Sequence, residues 1–145
     1  MYYKKVMEFV QYKNFIKLWF IKLFLNNEIR SIVRFVPFIA RFFLLDLDHL
    51  RTLLEPTYKK SNNKPRDPVP MMRSLLLMTM VKEPSITKWV QRMRDHKVYA
   101  ILSGFDPDDI PGIGTFYDFL DRLTMLDKDF KRKERNRRKK FRRKP

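Results

Sequence analysis

The sequence predicts an all-α protein: a small helical domain with a helix-turn-helix-like unit, preceded by N-terminal helices and followed by a disordered basic tail. Three observations carry this prediction. Apolar residues recur at three- and four-residue spacing along most of the chain. No stretch reads as a strand, and no internal repeat is present. All 3 glycines fall within residues 104–114, so the backbone is freed for unusual conformations in one loop alone.

Residues 1–54 form an N-terminal helical region with few breakers. Its first part, 1–25, is crowded with aromatic and aliphatic side chains. Lys4, Glu8, Gln11 and Lys22 share one helical sector, while Lys13 and Lys17 fall nearly opposite, so the amphipathicity is imperfect. After Asn26 and Asn27 a second segment begins at Glu28, with Ile29, Ile32, Val33 and Val36 at helical spacing, and Pro37 is expected to interrupt it. A third apolar stretch runs from Phe38 to Leu54. Residues 55–69 are a linker: Pro56, Ser61, Asn62, Asn63, Pro65, Asp67 and Pro68 are turn formers, set among Lys59, Lys60, Lys64 and Arg66.

Residues 70–126 hold the main helical domain. Pro70 suits the first turn of a helix running to about Lys82, which Pro84 ends. Ser85 is the expected N-cap of a second helix through about His96. Val98 to Ser103 continue helical until Gly104 stops them. A loop follows, and Thr115-Phe116-Tyr117-Asp118 has the form of a capping box opening a last helix with Phe116, Phe119, Leu120 and Leu123 as its apolar stripe. Residues 127–145 are a basic tail. From Lys128 onward it carries 12 basic residues against two acids, and like-charge repulsion predicts disorder.

Composition narrows the function. The chain has 32 Lys and Arg against 16 Asp and Glu, a formal charge of +16, which attracts polyanions such as nucleic acid or an acidic membrane surface. It has 0 cysteines and 2 histidines, His49 and His96, so thiol chemistry and His-based metal sites have almost nothing to draw on. No apolar run approaches the about 20 residues needed to cross a bilayer, and charged residues interrupt any secretory-signal pattern. The expected setting is cytoplasmic and nucleoid-associated.

From Asp67 to Leu123 the chain resembles the N-terminal domain of the DDE insertion-sequence transposases. The matching features come in order. Asp67-Pro68-Val69 leads into Met71-Met72-Arg73-Ser74-Leu75-Leu76-Leu77-Met78. Ser85-Ile86 opens the next helix, with Trp89, Val90 and Met93 inward. Then follow Ile101-Leu102-Ser103-Gly104-Phe105-Asp106-Pro107 and Ile110-Pro111-Gly112-Ile113-Gly114-Thr115-Phe116-Tyr117-Asp118-Phe119-Leu120-Asp121-Arg122-Leu123. The resemblance implies a domain that binds the ends of an insertion sequence, followed in the family by an RNase H-like catalytic domain with two Asp and one Glu around divalent metal ions. No such region follows in this sequence, so the expectation is a transposase front end truncated before its catalytic part: no enzyme, no catalytic residue, no metal and no other cofactor.

Candidate DNA contacts fall into two sets. Lys88, Arg92, Arg94 and Lys97 belong to the helix expected to enter a groove, with Lys88 and Arg92 four residues apart on one face. Arg132, Arg135, Arg137, Arg138, Lys139, Lys140, Arg142 and Arg143 form a phosphate-contacting arm. The bland alternatives are a solvated charged face for Arg73, Lys82 and the first set, and a solubilising linker for the second. Trp19 and Trp89 read as core, His96 as a helix-end residue, and Asp106, Asp108 and Asp109 as a plain turn. The expected partner is double-stranded DNA, with a homodimer admitted and no small-molecule substrate. The alternative is a helical protein-interaction module, or a peripheral membrane-surface protein using residues 1–25 and the tail.

Overall fold

The computed structural model describes residues 3–28, 32–58 and 64–143, and within them the protein is all-α, with a single isolated β-bridge between Lys4 and Arg66. In chain order the helices are α1 (Phe9–Leu25), α2 (Val36–Leu44), α3 (Leu50–Leu54), α4 (Pro68–Met80), α5 (Ile86–Asp95), α6 (Lys97–Ser103) and α7 (Ile113–Arg142). Ile29 and the linker residues 59–63 lie outside the described residues, as does the last part of the tail, 144–145.

Local chemistry explains most boundaries. Glu8 caps α1: its backbone N–H donates to Gln11 Oε1 at 2.9 Å, and the Phe9 N–H donates to Asp48 Oδ2 at 3.1 Å. Tyr12, Ile16, Phe20 and Leu23 then recur every three or four residues and are buried. Pro37 begins a helix where the sequence predicted an interruption. It lies in the first turn of α2, where its missing N–H costs nothing because those donors have no intrahelical acceptor. Asp67 caps α4 by accepting the Val69 N–H at 3.1 Å, which starts that helix at Pro68 rather than Pro70. Ser85 caps α5 as predicted, its hydroxyl accepting the Lys88 N–H at 3.3 Å.

Gly104 ends α6 at φ 100°, and the N–H groups of Gly104 and Phe105 both donate to the Ala100 carbonyl, which satisfies the open end of the helix. Thr115 does not cap the last helix. Gly112 does, in an extended conformation, so Thr115 lies inside the first turn.

The core gathers around α6. Ala100, Ile101, Leu102 and Ser103 are all buried, and α1, α2, α4 and α5 pack on this short helix. From α5 come Trp89, Val90 and Met93, and from α7 Phe116 and Phe119. The Trp89 indole N–H donates to Ser74 Oγ at 2.9 Å, so the largest core side chain keeps its polar atom satisfied. Trp19 is half-buried against the same core.

Arg51 ties three remote segments together. Its Nε and Nη2 reach both Asp67 carboxylate oxygens at 2.9 and 2.7 Å, Nη1 reaches Asp48 Oδ1 at 3.1 Å, and Nη2 also donates to the Met7 carbonyl at 2.8 Å. Burial alone would pull its pKa down, but the hydrogen bond to Asp67 and the charges of Asp67 and Asp48 outweigh burial and raise it.

The basic segment expected to be disordered is helical. α7 is 30 residues long and runs on to Arg142. Repulsion among the cations is offset by ion pairs one helical turn apart: Lys131–Asp127 at 2.9 Å, Arg132–Asp129 at 2.7 Å, Lys133–Asp129 at 3.5 Å and Arg138–Glu134 at 3.0 Å. Pairs at this spacing give an exposed helix modest support, weakened by solvent and salt. Lys and Arg are themselves good helix formers.

Candidate nucleic-acid interface

The two sets of predicted cations sit on different elements and face different surroundings. On α5 the apolar residues Ile86, Trp89, Val90 and Met93 turn inward, leaving Lys88, Gln91, Arg94 and Asp95 exposed. Lys88 and Arg94 are six residues apart, about 120° around the helix at 3.6 residues per turn, and the Gln91–Asp95 hydrogen bond of 3.0 Å lies between them. Arg92 is engaged within the protein. Its guanidinium stacks over the Tyr99 and Trp89 rings, 5.2 and 6.0 Å from their centroids, and Nη2 donates to the Tyr99 hydroxyl at 3.4 Å. Lys97 begins α6 and pairs with Glu28 at 3.7 Å. Arg92, His96, Lys97 and Tyr99 border a groove of ≈ 640 Å³ with Arg34 and Phe35 opposite. The outer face of α5 is therefore mixed in charge.

The α7 set is organised differently. Up to Leu126 the helix buries Phe116 and Phe119 and half-buries Leu120, Leu123 and Leu126. Beyond Leu126 no side chain of the helix is buried, with Phe130 67% and Phe141 80% exposed, and as far as Lys133 it borders a groove against Thr52, Leu53, Pro56 and Thr57. At about 100° per residue, Lys128, Lys131, Arg132, Arg135, Arg138, Lys139, Arg142 and Arg143 fall within one arc of roughly 140°. Asp127, Asp129 and Glu134 all lie outside that arc. The arc is turned away from the stripe of Phe116, Phe119, Leu123 and Leu126 that packs on the body. The result is a cationic rod about 25 Å long.

Of the predicted arm residues, Arg137 and Lys140 lie on the opposite flank with Phe130 and Phe141. Lys128 and Lys131 belong to the cationic arc although the expected arm began only at Arg132.

A second group of cations was also missed. Lys4, Lys64, Arg66 and Arg122 line a concavity of ≈ 260 Å³ beside Tyr58 and the first turns of α7. They come from three separate stretches of chain, so no local pattern marks them. On its other side Arg66 holds Asp109, with Nη2 2.7 Å from Oδ1, and Lys5 Nζ is 3.2 Å from Oδ2. The Arg66 hydrogen bond first, and that from Lys5 second, keep the Asp109 carboxyl below its ordinary pKa of 3.8.

Arg73, grouped in the sequence with the surface cations, is instead completely buried. Its guanidinium carbon lies 3.5 Å from the Tyr12 ring centroid, and none of its three nitrogens has a hydrogen-bond partner among the described residues. Burial lowers its pKa, while burial raises that of Tyr12 against the opposing pull of the Arg73 charge. The Tyr12 hydroxyl donates to the Leu102 carbonyl at 2.6 Å.

Among the described residues no group of three or more His, Asp and Glu side chains is placed to hold a metal ion, and no helix is long and apolar enough to cross a membrane. No family model, curated protein or solved structure matches the chain.

Proposed function

We propose that this chain binds double-stranded DNA, chiefly through the outer face of α7, as the DNA-binding front end of an insertion-sequence transposase and without nuclease chemistry of its own. One observation carries the DNA-binding part: eight cations and no acid share a single arc of the outer half of α7. A cationic rod of this kind follows a phosphate backbone, releases counterions, and binds strongly but with little regard to sequence. The transposase assignment rests on the ordered motifs between Asp67 and Leu123, and recognition of the element's ends would fall to the α5 face through Lys88 and Arg94. Arg92, held by Tyr99 and Trp89, positions that face instead of reaching for a base.

Duplexes carrying the element's terminal repeat, scrambled duplexes and anionic vesicles, each titrated across a salt series, test this reading. The expected result is tight duplex binding with a steep salt dependence, lost when Arg132, Arg135, Arg138, Lys139, Arg142 and Arg143 are changed together to Gln. Equal affinity for vesicles and every duplex, unaffected by those changes, sinks it.

The exposed stripe of Val10, Leu18, Ile21, Phe24 and Leu25 along α1 favours a second reading, a helical protein-interaction module. Loss of a self-association signal on changing Ile21 and Leu25 to Ser would support it.

A further inference from the structure

We propose that the concavity lined by Lys4, Lys64, Arg66 and Arg122 is an oxyanion site that takes a phosphate, and that in the DNA complex this is a backbone phosphate pinned to the protein body. The second half of this statement rests on the DNA-binding reading above; the first half does not.

The charge balance is the starting point. Four cations line the concavity and Asp118 is the one acid among its lining residues. Arg66 is committed to Asp109 on its far side, whereas Lys4, Lys64 and Arg122 have no carboxylate of the described residues within ion-pair distance. Asp118 stands one helical turn before Arg122 yet does not pair with it. Cations gathered with too few counter-charges are costly, and a bound oxyanion relieves that cost.

Arg122 supplies the specific geometry. Its guanidinium carbon lies 4.1 Å from the centroid of the Tyr58 ring, so the ring fixes the guanidinium plane from one face. A stacked guanidinium keeps its edge for acceptors in its own plane, which is how arginine takes the oxygens of a phosphate. Its Nε is shielded from solvent and has no hydrogen-bond partner among the described residues. The two Nη groups are not shielded in this way and have no carboxylate partner among the described residues, so they are the donors left for a phosphate oxygen. At ≈ 260 Å³ the space admits a phosphate group together with bridging water.

Position links the site to the arm. Arg122 precedes Arg132 by ten residues on the same helix, about 15 Å along the axis. At about 100° per residue Arg122 shares the flank of Lys140 and lies outside the cationic arc, so a duplex held on the arc reaches the concavity by crossing the side of α7.

The test uses the full chain in two arms. In the first, inorganic phosphate and chloride are titrated at matched ionic strength while the Arg122 Nε–H resonance is followed by NMR. Phosphate is expected to move this resonance saturably, chloride not, and Lys64→Gln to weaken the response at least threefold. Lys64 is exposed, so its variant keeps the fold and the result stays interpretable even where Arg122→Gln loses the Tyr58 stack and melts early. An Arg122 Nε–H that responds alike to both anions overturns the proposal.

In the second arm, duplex binding by Lys64→Gln and Arg122→Gln is measured against salt. Loss of one phosphate contact should reduce the log–log slope by about 0.9. A saturable phosphate response with unchanged duplex slopes assigns the site to free phosphate and overturns the backbone assignment. If neutralising the arm leaves duplex affinity intact, the arm reading fails while the phosphate titration stands by itself.

Discussion

Arg51 and Arg73 are both withdrawn from water, and they differ in what they face. Arg51 meets two carboxylates and a carbonyl, whereas Arg73 meets an aromatic ring and no acceptor among the described residues. A buried charge paired only with a ring recovers about 2 kcal/mol against a desolvation penalty of several kcal/mol. Arg73→Met, which keeps the length and removes the charge, is therefore expected to stabilise the fold by roughly 1–3 kcal/mol in urea denaturation. Destabilisation would show that solvent or an anion supplies the missing acceptor. The neighbouring glycine gives a second, opposed pair of expectations. A Cβ on Gly104 would lie 3.3 Å from Arg73 Nη1, and the residue sits at φ +100°, so Gly104→Ala should cost about 1–3 kcal/mol. Gly114 lies inside the first turn of α7, where an added methyl group would meet nothing within 4 Å, so Gly114→Ala should instead gain about 0.5–1 kcal/mol. The same urea denaturation reads both changes. The burial of Arg73 is half legible in the sequence. Its spacing from Pro70 and Leu77 puts it on the inward face of α4, but its charge argued for the surface, and the Tyr12 ring that receives it lies 61 residues away.

At the scale of the element, caps were readable because they are local. Ser85 and Gly104 end or begin helices through bonds to residues within four positions, and the sequence shows both partners at once. Pro37 and Thr115 misled for the same reason inverted: each is a sound local signal, and the true start depended on Phe35 with Val36 in one case and on Gly112 in the other. The arm is the larger miss. In a disordered segment these cations share no face, whereas the helical period of α7 gathers eight of them into one arc. The cluster of Lys4, Lys64, Arg66 and Arg122 had no signal at all, since tertiary packing alone assembles it. Because the outer half of α7 is held by its own hydrogen bonds and surface ion pairs, and the inner half by the core, the two should differ in protection. Backbone amides of 130–142 are expected to exchange with solvent at least a hundredfold faster than those of 116–126. Uniform protection along α7 would mean that a partner covers the arm.

For the molecule as a whole, Asp109 joins stretches that are far apart in sequence, receiving Lys5 and Arg66. Its folded pKa is depressed, so the stability it contributes is present above its ordinary value of 3.8 and is lost as pH falls through the lower folded value. Asp109→Asn should flatten the acid limb of a stability–pH curve below about pH 4 and leave neutral pH little changed; an unaltered acid limb would place the acid sensitivity elsewhere. The outer half of α7 also bears on speed. Under the DNA-binding proposal, a rod of positive potential widens the capture radius for a polyanion. Under that proposal the arm makes encounter sensitive to ionic strength and, through its phosphate contacts, also lengthens the lifetime of the complex. A chain shortened at Leu126 would then both find a duplex more slowly and release it faster.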